Sequence, residues 1–156
     1  MEKILIGKYV NTHGIKGEIR IKSNFQYKDK VFIPGMLVIL NQQEFIINSY
    51  RRHKDFEMIT LKGINNINEI LPLKGSNVYV LRNSLNLNDE EYLDNDLLDF
   101  EIYVGLKLIG NLSEIRYLTD TKKILVVAKH LIPFELVQKI DFKQKKIFIE
   151  EVSGLI

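Results

Sequence analysis

Short segments in which apolar and polar residues alternate recur along most of this 156-residue chain. In the clearest of them, Lys16–Lys22, Ile19 and Ile21 fall on one face and charged side chains fall on the other. A period of two residues is that of a half-buried β-strand. Alanine, the best helix former, occurs once, at Ala128, which argues against a helical bundle. The pattern predicts an all-β fold with a minor helix. Closed barrels are favoured because closure removes exposed strand edges.

Strand patterns fill both halves of the chain, and one short helix is predicted at Asn66–Leu71, ended by Pro72. The strands predicted in the first half are Ile4–Val10, Lys16–Lys22, Met36–Leu40, Glu44–Ser49, Phe56–Leu61 and Asn77–Leu81. Those predicted in the second half are Glu101–Val104, Lys107–Tyr117, Lys123–Val127, Val137–Asp141 and Lys146–Glu150. A turn is predicted at Asp120–Thr121.

A polar segment, Asn83–Asp89, separates the two sets of strands and is rich in residues that favour turns. It predicts a domain over residues 1–82, a linker over 83–95 and a second domain over 96–156. Each domain is small enough to bury only a modest core. We therefore predict two small β-barrels in tandem.

The formal net charge of +2 conceals an uneven distribution along the chain. Residues 1–82 carry 13 Lys and Arg against 7 Asp and Glu, which gives +6, whereas residues 83–156 carry 9 against 13, which gives −4. The segment Asp89–Glu101 holds seven of those carboxylates and no Lys or Arg. Such a run is either a solvated linker or a docking surface for a basic partner.

No pattern of residues typical of an enzyme is present. There is no cysteine, the three histidines lack metal-ligand spacing, and neither a GxSxG motif nor a phosphate-loop motif occurs. We therefore expect no catalytic residue, no cofactor and no metal. The absence of cysteine, of a signal peptide and of a long apolar run is consistent with a cytoplasmic protein without a membrane partner, which we expect to be a monomer.

Basic residues cluster at two places in the first half. One cluster consists of His13, Lys16, Arg20 and Lys22, and the other is the run Arg51–Lys54 at a predicted hairpin. Either cluster is a solvated turn or a set of phosphate contacts, since arginine binds phosphate through two parallel hydrogen bonds. The aromatic residues that flank the second cluster, Tyr50 and Phe56, belong to the core or stack on a base.

The block Thr12–Ile21, THGIKGEIRI, resembles the N-terminal signature of the RimM family of bacterial small-subunit maturation factors. Further matches in the same order are Ile6-Gly7-Lys8, Arg51 with His53-Lys54, Lys62-Gly63-Ile64, Asn68-Glu69, Lys74-Gly75, Asp96-Leu97, Leu131–Phe134 with Asp141, and Gly154-Leu155-Ile156. The resemblance implies a translation-factor-like barrel followed by a PRC-barrel. It also implies a non-enzymatic factor that assists assembly of the 30S head and processing of 16S rRNA, with the rRNA 3′ domain and small-subunit ribosomal protein nineteen as partners.

With this resemblance, we expect Lys16, Arg20, Arg51, Arg52 and Lys54 to contact rRNA phosphates. The family has a pair of adjacent tyrosines tied to ribosome association, which matches Tyr92 and Leu93 here, and we expect these two residues to contact the ribosomal protein. Leucine at the second position retains apolar area but lacks the hydroxyl. A second departure is Asp99, where the family usually has glycine. If a positive φ is needed there, aspartate tolerates it better than a branched residue would.

Two other functions stay open from the residues alone. The loop Gly14–Gly17 is glycine-rich, so the chain could be a small β-barrel enzyme or accessory domain that binds a flavin or another nucleotide. A bound flavin would colour the purified protein yellow. A purely structural interaction module would instead have no affinity for nucleic acid.

Overall fold

Twelve β-strands dominate the computed structural model, which describes residues 2–119 and 121–156. The all-β prediction is confirmed. The chain forms two units, the first ending at Asn88 and the second beginning at Asp89. The predicted turn at Asp120–Thr121 has its first residue outside the described residues. Within the described ranges, no helix is long and apolar enough to span a membrane.

The first unit is a closed barrel with the strand order β1-β2-β5-β4-β3-β6. Its strands are β1 (Lys3–His13), β2 (Glu18–Lys22), β3 (Leu37–Leu40), β4 (Gln43–His53), β5 (Phe56–Leu61) and β6 (Asn77–Leu81). The six strands predicted for this half are all present, and the bounds of β5 and β6 are those predicted. Ile19 and Ile21 are buried in the barrel, as the alternation in β2 predicts.

Gly7 allows β1 and β2 to approach closely. A Cβ atom at this position would lie 2.7 Å from Cγ2 of Ile21 and 2.9 Å from the carbonyl oxygen of Lys22. Both distances are shorter than van der Waals contact, and the backbone oxygen cannot move aside independently of the strand. Glycine at position 7 is therefore needed for the pairing that begins the barrel.

The helical segments differ in part from the prediction. The helix α2 covers Ile67–Ile70, and the side chain of Asn66 accepts a hydrogen bond from the backbone N–H of Asn68 at its start. The α-helix thus ends before Pro72, as expected, and the chain continues as a separate 3₁₀ helix over Leu71–Leu73 that includes this proline. Proline is accommodated because the first turn of a helix needs no N–H donor there. A second short helix, α1 (Lys28–Val31), is not predicted by the sequence pattern.

The second unit contains a six-stranded sheet with the order β10-β9-β8-β7-β12-β11. Its strands are β7 (Glu101–Val104), β8 (Lys107–Tyr117), β9 (Lys123–Val127), β10 (His130–Pro133), β11 (Val137–Asp141) and β12 (Lys146–Ile149). β7 and β12 are parallel, and the other neighbours are antiparallel. Among the described residues, no strand pairing joins β10 to β11, so the ladder of this unit is not a closed ring. The core is formed by Leu97, Phe100, Ile102, Val104, Leu112, Leu125, Val127, Ile132, Ile147 and Ile149.

Asp99 adopts a left-handed backbone conformation with a φ of 69°. Its N–H donates a 2.8 Å hydrogen bond to the carbonyl of Leu112, which fixes the turn ahead of β7. This position is the one at which the family pattern has glycine. Glycine takes up this conformation without steric cost, whereas other residues are disfavoured by roughly 1–2 kcal/mol.

We expect Asp99→Gly to raise the free energy of unfolding by about 0.5–1 kcal/mol, because strain relief exceeds the entropy that glycine loses on folding. Asp99→Val should lower it by more than about 1 kcal/mol, since a branched side chain is disfavoured further. Urea denaturation followed by circular dichroism measures both. Asp55→Gly, at an exposed residue without a positive φ, is the control and should not stabilise the chain. A less stable Asp99→Gly variant would contradict the assignment.

Candidate nucleic-acid and protein interfaces

Two neighbouring hairpin ends of the barrel bring basic side chains together. The β1–β2 hairpin ends at the opposed residues His13 and Glu18, and the β4–β5 hairpin ends at His53 and Phe56. Because β2 and β5 are adjacent strands, the two hairpins lie side by side. The ring centroids of His13 and His53 are 6.0 Å apart. The barrel thus joins the two basic clusters that are separated by some thirty residues in the sequence.

Strand alternation decides which basic residues share this surface. Arg20 on β2 and Arg51 on β4 both lie opposite Met58 on β5, and directly opposed residues project from the same face of a sheet. Met58 is fully buried even though its neighbours on both sides are arginines that reach solvent. We call His13, Arg20, Arg51 and His53 the basic face.

Arg51 is bound to Glu18 through two parallel hydrogen bonds. Its Nε donates to Oε2 at 2.9 Å, and its Nη2 donates to Oε1 at 2.8 Å. The hydrogen bonds from Arg51 lower the pKa of the Glu18 carboxyl below its ordinary value of 4.5, although burial acts in the opposite direction. The same bonds raise the pKa of Arg51. Both groups are therefore ionised at neutral pH.

The guanidinium of Arg20 lies over an aromatic ring. Its Cζ is 5.0 Å from the ring centroid of Phe56, and its Nη2 is 3.4 Å from Nδ1 of His13. Within the described part of the chain, the buried Nε of Arg20 has no hydrogen-bond partner. Phe56 thus supports a cation of the basic face, a contact that adds cation–π attraction to apolar burial.

Two predicted lysines lie in the loops at these hairpin ends. Lys16 is exposed between Gly14 and Gly17, which have φ values of 74° and 86°, and Lys54 is exposed with a φ of 56°. The apolar side chain next to Lys16, that of Ile15, is 81% exposed, which the sequence pattern does not predict. The glycines thus serve a tight turn that presents side chains to solvent.

Arg52 projects from the opposite face of β4. It lies opposite Glu57 on β5, and its positive charge acts on the phenol of Tyr50. Tyr50 donates a 2.9 Å hydrogen bond to Glu57 and stacks on Phe32 at a centroid distance of 6.1 Å. Burial, followed by the bond to Glu57, raises the pKa of Tyr50. Of the two flanking aromatics, Tyr50 is therefore engaged within the barrel, and Arg52 is separated from the basic face.

Glu57 is a buried carboxylate that is absent from the residues singled out in the sequence. It is 1% exposed, and its Oε2 lies 3.9 Å from Nζ of Lys28 on α1. Among the described atoms, Oε2 has no hydrogen-bond partner. The sequence pattern of β5 could have identified it, because alternate residues of a strand share a face and Glu57 therefore lies on the same face as Ile59 and Leu61.

In the second unit, Tyr92 and Leu93 have different environments. Leu93 is 8% exposed, so its side chain offers little area to a partner. Tyr92 packs on Phe142 with ring centroids 5.4 Å apart. It lines a groove of about 400 Å³ together with Asp89, Glu90, Phe134, Val137, Gln138, Lys139, Ile140 and Phe142. The apolar area beside Tyr92 thus comes from aromatic residues distant in the sequence.

The acidic segment is divided between structural contacts and this groove. Asp94 binds Nζ of Lys123 at 3.0 Å and accepts a hydrogen bond from the hydroxyl of Tyr117. Asp96 accepts a 3.0 Å hydrogen bond from the backbone N–H of Leu93. Burial, and then the bond to Asp94, raise the pKa of Tyr117. The side chains of Asp89 and Glu90 line the groove.

Groups of three or more His, Asp or Glu side chains that could hold a metal ion are absent from residues 2–119 and 121–156. The first unit presents cations, and the second presents carboxylates beside aromatic rings.

The chain was compared with known protein families, curated proteins and solved structures. The RimM N-terminal domain family matches residues 4–85. The chain is 36% identical over 166 aligned residues to the ribosome maturation factor RimM of Staphylococcus aureus, and the alignment covers 99% of both proteins. It is 38% identical over 167 aligned residues to that of Staphylococcus saprophyticus, with the same coverage. The solution structure of the N-terminal domain of RimM from Thermus thermophilus superposes with a TM-score of 0.49 and 18% identity, covering 56% of this chain and 98% of that one.

We expect His53 to be neutral at pH 7. Burial, followed by the positive charges of Arg51, Lys54, His13 and Arg20, lowers its pKa below the ordinary value of 6.5. An NMR titration of the histidine rings should give a midpoint below 6.5, and Arg51→Gln should move it upward. Lys62→Gln, at the far end of β5, should leave it unchanged.

The lowered pKa of His53 makes the free energy of unfolding depend on pH. Below the unfolded pKa of 6.5, the unfolded chain binds more protons at His53 than the folded chain does. The stability contribution of neutral His53 is therefore fully present above that value and is lost as the pH falls towards the folded pKa. His53→Gln should remove this component from the pH profile of urea denaturation. A His53 midpoint at or above 6.5 would contradict the assigned environment.

Proposed function

The chain belongs to the RimM family, and on that premise we propose that it is a ribosome maturation factor that acts by binding. It assists assembly of the 30S head and processing of 16S rRNA in the cytoplasm, as a monomer and without catalysing a reaction. Its two partners are the 3′ domain of 16S rRNA and small-subunit ribosomal protein nineteen. Binding energy favours one arrangement of this RNA and protein during maturation, and the factor then leaves.

The cluster of cations at the adjoining hairpin ends carries the proposal. Arg20 and Arg51 lie on the basic face, and Lys16 and Lys54 are exposed in the loops beside it. Cations at this spacing can neutralise several phosphates of one RNA segment, and each neutralised phosphate releases counterions. Arg52 would reach a phosphate on the other side of β4, so the predicted contacts form two groups around one hairpin.

The charge of the two units supports a division between the two partners. Residues 83–88 carry no charge, so the observed units retain +6 for residues 1–88 and −4 for residues 89–156. Ribosomal proteins are basic, and opposite charge steers association and excludes partners of like charge. In this proposal the acidic unit holds the ribosomal protein, and Tyr92 supplies the apolar anchor at the groove.

We expect Arg51→Ala, Arg52→Ala and Lys54→Ala together to weaken binding to a transcript of the 16S rRNA 3′ domain by at least about tenfold. The slope of log Kd against log salt should fall by about 2, because up to three phosphate contacts are lost. Filter binding at several salt concentrations measures both, and co-sedimentation with precursor 30S particles should weaken in parallel. The control is Lys3→Ala, Lys62→Ala and Lys74→Ala, which removes the same charge from exposed positions of the same unit. An unchanged slope in the first variant would place the RNA contact elsewhere.

For the second partner, we expect Asp89→Asn, Glu90→Gln and Tyr92→Ala together to weaken capture of purified ribosomal protein nineteen by about tenfold. Two carboxylates and one apolar contact are removed from the groove. Isothermal titration calorimetry measures the loss, and circular dichroism checks that the variant is folded. Glu150→Gln with Glu151→Gln removes two exposed charges from the same unit and should bind as the unmodified protein does. Equal affinity of both variants would place the protein contact away from the groove.

A further inference from the structure

Glu18 is the carboxylate within the basic face. It lies opposite His13 at the end of the β1–β2 hairpin, and its ionised form is favoured chiefly by the hydrogen bonds from Arg51. A surface that binds RNA phosphates would gain from having no negative charge among its cations. The negative charge of Glu18 is thus unexpected on a surface that binds phosphates.

The geometry of the Glu18–Arg51 pair is that of a bound phosphate. Two oxygens of one anion accept from Nε and Nη2 of one guanidinium at 2.9 and 2.8 Å. A phosphodiester presents two equivalent oxygens to arginine in the same manner. The carboxylate thus occupies two parallel donors of Arg51 that a phosphate could otherwise use.

The pair is also exposed enough to be exchanged. The side chain of Arg51 is 49% exposed and that of Glu18 is 17% exposed. Water and salt reach the half-exposed arginine and screen its attraction to the carboxylate. A phosphate that arrives with other favourable contacts can therefore displace the carboxylate, whereas an isolated phosphate gains little by doing so.

We propose that the Glu18 carboxylate occupies the phosphodiester site of Arg51 in the absence of RNA, so that RNA binds there by displacing it. Glu18 thereby sets the selectivity of the basic face. An RNA that also places phosphates at Arg20, Lys16 and Lys54 compensates for breaking the pair. An RNA that offers a phosphate to Arg51 alone does not. This inference rests on the proposed RNA-binding function and adds to it a residue that limits non-specific binding.

The test is Glu18→Gln, which retains the shape of the side chain and removes its charge. The probes are the 16S rRNA 3′-domain transcript and an unrelated RNA duplex. We expect Glu18→Gln to bind the duplex about threefold to tenfold more tightly, equivalent to about 0.7–1.4 kcal/mol. The salt slope should steepen by about 0.7–0.9, because one more phosphate contact releases counterions. The affinity ratio between the two RNAs should fall.

Two controls isolate the pair. Glu44→Gln removes the same charge from an exposed position on β4 and should leave duplex binding unchanged. In an Arg51→Ala background, Glu18→Gln should have no more effect than Glu44→Gln, because the site that it frees is absent. Glu18→Asp keeps the charge while shortening the side chain, and its duplex affinity should lie between those of the unmodified protein and Glu18→Gln.

Three outcomes would overturn the inference. Glu18→Gln could bind both RNAs more weakly, as a residue that only orients Arg51 would require. It could match Glu44→Gln, or its effect could persist in the Arg51→Ala background. These results differ from failure of the proposed function, in which the Arg51, Arg52 and Lys54 alanine variant binds the 3′-domain transcript as tightly as the unmodified protein. If neither the unmodified protein nor Glu18→Gln binds RNA, both proposals fail.

Discussion

The pairing register of β2, β5 and β4 is the constraint on which the rest of the first unit depends. Met58 lies between Arg20 and Arg51 across this sheet, so the two arginines share a face. The same register places Arg52 opposite Glu57, on the other face of β4. Closure of the barrel leaves no free edge at which this register could slip. The basic face is therefore a product of strand pairing, and its geometry is as rigid as the barrel.

Two carboxylates on adjacent strands have opposite roles because of their phase in the alternation. Glu57 points into the barrel, where Tyr50 donates a hydrogen bond to it and Lys28 approaches from α1. A buried carboxyl group favours polar partners, and the approach of Lys28 brings the short helix to the sheet at this point. Glu18 lies at a hairpin end near solvent and meets the charge of Arg51. The first carboxylate stabilises one arrangement of the barrel, and the second moderates the charge that the barrel presents.

The acidic residues of the second unit also fall into two groups, those that make structural contacts and those that line the groove. Asp94 is held by Lys123, whose ammonium lies 4.0 Å from the ring centroid of Phe134. Asp96 holds the backbone of Leu93. These contacts tie the segment to the sheet, while Asp89, Glu90 and Tyr92 of the same segment line the groove. The segment thus combines structural ion pairs with carboxylates that line a groove.

The sequence by itself determined the all-β class, the bounds of half of the strands, the family and the uneven charge, since alternation, turn residues and composition act over a few neighbouring positions. The resemblance to the family only raised the possibility of a positive φ at Asp99, and the structure shows it. Only the tertiary structure decided that Arg51 faces Glu18, that Arg52 is separated from it, and that Leu93 is buried while Tyr92 lines a groove with Phe142. Helix α1 and the contact between Lys28 and the buried Glu57 were likewise visible only in the tertiary structure. The physical reason is distance along the chain, because strand register and side-chain burial join residues that no local pattern relates.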